Sequence, residues 1–281
     1  MITVSLTHEN DYGEWAGRAR KLYAANIPPE HVIWETPGSD AGLFGQIDTA
    51  LPEPMADRSP AAVPKTFPPL AKWVICHSDP ERFSRLYRLL WRLQTEKHLL
   101  GQSADPDIVW LTSRRKAISR DRHKMHAFVR FRKTGHRELA SGEIREQFIS
   151  WFEPAHHILE LGAPFFVKRF SNMDWAILTP RASAFWNGSK LLIGSGAKKS
   201  DVDISDSCED LWKTYFASTF NPARLKVGAM MSEMPKKYWH NLPEAVLIPD
   251  MIANARKRTA DMQANAITAR NPLADKILKH G

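Results

Sequence analysis

The chain has 281 residues, 43% of them hydrophobic, with ten tryptophans and a net charge of +8. That length suits one large domain or two modest ones with a sizeable core. The absence of any long apolar run argues against a membrane-spanning helix, and two cysteines, Cys76 and Cys208, are too few for a disulfide framework or an iron–sulfur cluster held by this chain alone.

In chain order, "ITVSL" alternates as a short strand, and the stretch from Asp11 to Asn26 carries Trp15, Ala19, Leu22 and Tyr23 at helical spacing. "HVIWE" reads as a second short strand. The N-terminus lacks the basic start and apolar stretch of a signal peptide, so the expected compartment is the cytoplasm, with no membrane partner. Seven of the 19 prolines then fall between Pro37 and Pro69, which predicts an irregular connection.

"KWVICHS" follows as a strand candidate. "SDPE" starts a helix, with Ser78 or Asp79 as its cap. Phe83, Leu86, Tyr87, Leu90 and Leu93 form its apolar face, and Arg82, Arg85, Arg88 and Arg92 are placed opposite. A solvated arginine face is the ordinary reading, and a phosphate-tracking stripe is the alternative. "ADPDIVWLTSRRKAISRDRHKMH" opens another helix behind Asp105.

"AFVRFRK" alternates like a strand, with Arg130 and Arg132 on one side, and "EQFISWFEP" is its predicted neighbour. Pro154 is expected to open a helix, "DWAILTP" to form a strand, and "SAFWNGSKLLI" to form a hairpin about Asn187-Gly188. The order β-β-α-β-β predicts an α+β fold with an antiparallel sheet, flanking helices and a helical N-terminal part. "GSGAKKSDVDISD" reads as a polar loop, because the arrangement of a Walker phosphate loop is missing. "CEDLWKTYFASTF" reads as a helix and "NPARLKVGAMMSEM" as an ordered segment. Three parts are expected: residues 1–70, a central α+β domain over 71–245, and a C-terminal helix and tail over 246–281.

Positive charge is concentrated in one place. Between Ser113 and Arg137 there are ten Lys/Arg and one acid, Asp121, so this segment carries +9 and the rest of the chain sums to −1. Arginine and lysine in a last helical turn are favoured by the helix dipole, which accounts for some of this charge. It does not account for Arg130, Arg132 and Lys133 beyond the helix. A polyanion-binding surface is therefore expected from Arg114, Arg115, Arg120, Arg122, His123, Lys124, Arg130, Arg132 and Lys133.

Other candidates are less specific. His123 and His126 have a spacing that suits a metal, but no third ligand is nearby and basic residues flank His123, so a phosphate or carboxylate contact fits better and no metal is expected. His156 and His157 either cap and pack a helix start or supply His156 to an acid–base pair with Glu153. "MPKKYWHNLPE" interleaves Lys236 and Lys237 with Tyr238 and Trp239, which either stack on bases or pack a core. The chain lacks a nucleophile elbow, HExxH, dinucleotide fingerprint and Walker loop, so no catalytic constellation stands out and no cofactor is expected.

"RDRHKMHAFVRFR", "WFEPAHHILELGAPFFVKRFSNMDWAILTP", "LWKTYFASTFNPARL" and "EMPKKYWHNLPEA" resemble a bacterial family of DNA-metabolism or DNA-repair proteins whose central domain has no established function. The resemblance spans roughly Val4 to Met262, and "WAGRARKLYAANIPPEHVIWE" is most similar to the form fused upstream of an X-type uracil-DNA glycosylase. Other members are encoded beside a radical SAM protein. The resemblance implies a DNA-binding accessory role in base-damage repair, with such a glycosylase or radical SAM protein as partner. Glycosylase and radical SAM chemistry are not expected of these 281 residues, which lack the cysteines for either cluster. An enzyme acting on DNA or nucleotides through His123, Glu153 or His156 is the alternative, and a protein-recruitment module is a second.

Overall fold

The computed structural model describes residues 1–36, 53, 55, 56, 58–202 and 234–255. The fold is α+β. Its contacts divide into two units, one of residues 1–126 with 154–169, the other of residues 127–153 with those from 170 onward. The predicted helix over 208–220, the segment after it as far as 233, and the tail beyond 255 lie outside the described residues.

In the first unit, β1 (Ile2–Ser5) pairs in parallel with β2 (Val32–Glu35). Between them runs α1 (Tyr12–Ala24), capped by Asp11 Oδ1, which accepts from Gly13 N at 2.7 Å and Glu14 N at 3.1 Å. "KWVICHS" is not a strand. It lies on α2 (Phe67–Val74) and the turn after it. Pro68 and Pro69 sit in the first helical turn, where a missing N–H costs nothing, so prolines that read as a break form a helix start instead.

α3 (Arg82–Arg92) and α4 (Pro106–Phe128) follow. Asp105 caps α4 as expected, accepting from Asp107 N at 2.9 Å and Ile108 N at 3.3 Å. The apolar face of α3 is buried as expected, with Leu86, Tyr87 and Leu93 at zero exposure. Pro154 does not open a helix. α5 begins later and spans Leu159–Arg169. Gly162 on α5 packs against Met125, where a Cβ would stand 2.5 Å from Sδ.

The second unit is built on five strands: β3 (Arg132–Glu138), β4 (Ile144–Trp151), β5 (Asp174–Leu178), β6 (Ala182–Trp186) and β7 (Leu191–Ser195), hydrogen-bonded in that order. "AFVRFRK" does not extend from its first residue, because α4 continues through Phe128 and the strand begins at Arg132. The expected Asn187-Gly188 hairpin forms, with Gly188 at φ +88°. The sheet is mixed, not antiparallel throughout: β4 and β5 pair in parallel. A parallel pair needs a long connection. Residues 154–169, which belong to the first unit, supply most of it.

The register sorts the two faces of this sheet. Trp175, Ile177, Ala184 and Ser150 turn to one side and are buried, with Phe131 packing on Trp175. On the other side one cross-strand row runs across all five strands: Arg132, Ile149, Ala176, Phe185 and Leu192. Phe185 and Leu192 in that row are 43% and 45% exposed. Beyond β7 come a short 3-10 helix at Lys199–Val202, others at Lys236–Asn241 and Pro243–Leu247, and α6 (Ile248–Ala253). No helix among the described residues is long and apolar enough to cross a membrane.

Candidate nucleic-acid interface

The basic segment does two different jobs. On α4, several of its members are committed to packing. Arg114 Nε donates to Asp79 Oδ2 at 2.9 Å, beside Trp110 Nε1 at 3.1 Å. Burial raises the Asp79 carboxyl, but these hydrogen bonds and the Arg114 charge outweigh it and hold the group ionised. Arg115 and Arg122 both stack over the Trp73 ring, at 3.7 Å and 4.5 Å from its centre. Asp121, the single acid of the run, is buried and accepts from His156 N at 3.0 Å. Arg120 and His123 are exposed, and Lys124 is half-buried. His126 stacks on Phe165 at 4.1 Å and burial lowers its pKa, so its ring is a packing element rather than half of a metal pair.

The arginines of α3 are not a phosphate stripe. Arg82 is buried: Nε donates to Ile75 O at 3.0 Å, Nη1 to Asp79 O at 3.0 Å and Nη2 to Glu9 O at 2.8 Å. Arg85 pairs with Glu81, Arg88 with Asp107, and Arg92 with Glu96, Asp105 and Asp107.

His156 forms no pair with Glu153. Its Nδ1 accepts from Ser78 N at 3.3 Å and meets Ser78 Oγ at 3.0 Å, and its ring stacks on His77 at 4.0 Å. His77 Nδ1 in turn accepts from Asp79 N at 2.9 Å. Burial, with His156 and Arg114 adding like charge, lowers the His77 imidazole to about 4. In the unfolded chain that imidazole takes up its proton near the ordinary value of about 6.5. The unfolded state therefore binds more protons between those two pH values, and stability falls as pH drops through that window, levelling below about 4. The loss is on the order of 3 kcal/mol. Urea midpoints followed from pH 7 downward measure it. His77→Asn, whose Oδ1 can still accept from Asp79 N–H, makes the decline shallower.

The rest of the basic segment, in the second unit, builds a cavity of about 430 Å³ lined by Arg130, Arg132 and Trp151 together with Lys199, Ser200, His240 and Asn241. Arg130 Nη1 donates to Ala127 O at 2.7 Å and Val129 O at 3.3 Å, closing the C-terminal end of α4 while the side chain lines the cavity. Trp151 Nε1 donates to Glu153 Oε1 at 2.7 Å, and His240 Nε2 lies 3.4 Å from the same oxygen. Burial raises the Glu153 carboxyl, but hydrogen bonds from Trp151 and His240 and the charges of His240 and Lys199 bring it below its ordinary value. Among the described residues, those lining the cavity include no carboxylate. Its cations and hydrogen-bond donors suit a phosphate.

Lys133 is placed differently from Arg132. It pairs with Phe148 in the ladder, on the opposite face, and its Nζ meets Glu146 at 2.5 Å. Tyr238 is 1% exposed, enclosed between Phe128 and Phe152 at 5.4 Å and 5.3 Å, so it is a core residue and not a surface for a base. Trp239 is half-buried and donates to Met234 O at 3.0 Å. Lys236 and Lys237 are exposed, with Lys237 Nζ 4.7 Å from the Tyr238 ring centre.

The sequence candidates do not include Trp151, Lys199, Ser200 or Asn241, and His240 enters only as part of "MPKKYWHNLPE" beside Tyr238 and Trp239. "GAKKS" carries the signal for two of them within what reads as a polar loop. Among the described residues, the grouping of metal-ligand type is His8, Asp11 and Glu14. Asp11 caps α1 and Glu14 accepts from Thr7 N and Oγ1, so both carboxylates already serve the fold.

Fold and cavity together define a basic α+β protein with a cationic pocket beside a mixed sheet. The chain belongs to the family of the domain of unknown function DUF4130, whose model matches residues 80–244, more than half its length and including every residue named above as lining the cavity. No curated protein and no solved structure matches it.

Proposed function

We propose that this protein is a DNA-binding accessory factor in base-damage repair, acting with a uracil-DNA glycosylase or a radical SAM partner. The observation that carries the binding half is the cavity that brings Arg130, Arg132 and Lys199 together with His240. A row of phosphates is the natural ligand of such a lining, since each cation that neutralises one releases a condensed counterion. The repair half rests on the family resemblance of the sequence. Arg114, Arg115 and Arg122, in the first unit, are assigned no phosphate contact in this reading, because a carboxylate or an aromatic ring engages each.

Fluorescence anisotropy with labelled DNA across a salt series tests it. Three or four phosphate contacts give a fall in log K with log salt of slope about −2 to −4. Binding no tighter than to a neutral polymer at low salt overturns the proposal. The partner half is tested by pull-down with the candidate glycosylase or radical SAM protein after nuclease treatment, where no retention overturns it.

A further inference from the structure

The cationic cavity and the open face of the sheet are linked through Arg132. Arg132 lines the cavity and is also the first residue of the row Arg132, Ile149, Ala176, Phe185 and Leu192. The last four of these line a second hollow, of about 360 Å³, in the same unit. Paired residues on adjacent strands project to the same side. From Arg132 to Phe185 is three strand spacings, roughly 14 Å at about 4.8 Å each.

The chemistry changes along that line. One end holds Arg130, Arg132 and Lys199. Along the row beyond, the residues are aliphatic and then aromatic, and Gln147 and Asn187 also line that hollow. Phe185 is supported from below: a Cβ on Gly194 would lie 3.2 Å from Phe185 Cε2, so the glycine lets the ring lie against the strand beside it. The ring nevertheless remains 43% exposed. Arg137 and Arg145 clamp Asp174 from two sides, at 2.7 Å and 3.0 Å, which fixes the polar end of the hollow.

We infer that this surface binds a single nucleic-acid strand, with phosphates at Arg130, Arg132 and Lys199 and a base stacked on Phe185. The inference rests on the reading of the cavity as a phosphate site and adds the form of the ligand. A duplex keeps its base faces stacked inside and offers none to an exposed ring. A single strand offers both a charged backbone and apolar faces, the pairing that a cationic pocket beside an aromatic floor matches.

The test compares a labelled oligo-dT strand with a duplex of the same length, at one salt concentration, for the wild-type chain, Phe185→Ala and Phe185→Trp. The wild-type chain is expected to bind the single strand at least about tenfold tighter. Phe185→Ala is expected to lose about 5- to 100-fold on the strand, the usual value of one base–aromatic stack, and to leave duplex binding unchanged. Phe185→Trp restores strand binding, and near-UV circular dichroism checks the fold of each variant. Salt-dependent binding with Phe185→Ala equal to wild type overturns the stacking site while leaving the phosphate reading intact. Tighter binding to the duplex also overturns it. No binding to either ligand overturns both readings.

Discussion

The double variant Arg130→Glu/Arg132→Glu is expected to weaken DNA binding by about hundredfold at low salt, and to flatten the salt dependence by about two units of slope. The two arginines line one cavity, one just after α4 and one at the start of β3. Each hydrogen bond to a charged group contributes about 1.5–3 kcal/mol, and losing two costs about 3 kcal/mol, which is a hundredfold in affinity. Each lost phosphate contact also removes about one unit of slope. Lys133→Glu is the control, since it reverses a charge one residue away on the opposite face, where Lys133 already meets Glu146. An equal loss with Lys133→Glu would show that only net charge matters. Because Arg130 also closes the end of α4, Arg132→Glu alone and a thermal midpoint for each variant separate binding from folding.

Arg82→Met is expected to give the largest loss of stability, about 3 kcal/mol by urea denaturation. The guanidinium is 5% exposed and its three donors serve the carbonyls of Ile75, Asp79 and Glu9. Methionine keeps much of the volume but leaves buried acceptors without those donors, and an orphaned buried group costs about 1–3 kcal/mol. Arg85→Met, three residues on, is expected to change stability by under about 0.5 kcal/mol. Its partner Glu81 is largely exposed, and surface pairs at this spacing contribute little. Equal effects from the two variants would refute the account.

That contrast also shows how far the sequence could be read. Arg82 was grouped with Arg85, Arg88 and Arg92 as one stripe. At about 100° per residue it lies within about 20° of Leu89 and Leu93, on the apolar face. The helical pattern therefore contains its burial, which its charge conceals. Helix starts at Asp11 and Asp105 and the Asn187-Gly188 turn were legible because their signals lie within four residues. The prolines at 68 and 69 carried two meanings, and only the packing of Phe67, Ala71 and Val74 chose between them. The pairing of β4 with β5 and the meeting of Glu153 with His240, 87 residues apart, are settled by distant contacts that no local pattern encodes. Charge marks Arg130 and Arg132 as candidates for a polyanion, but that they line a cavity is not contained in the charge pattern. Lys199 and His240 came from outside the basic segment, and nothing in the segment pointed to them.

The parallel pairing of β4 with β5 has a consequence for how the site can fail. That ladder is a seam between two local assemblies, the hairpin of β3 and β4 and the meander of β5, β6 and β7. Arg132, Ile149 and Trp151 belong to one side of the seam, while Ala176, Phe185 and Lys199 belong to the other or follow it in the chain. Neither assembly holds a complete set of ligand groups. Parting β4 from β5 is therefore expected to separate Lys199 from Arg130 and Arg132 and so to divide the cationic lining, while Phe185 stays with the meander.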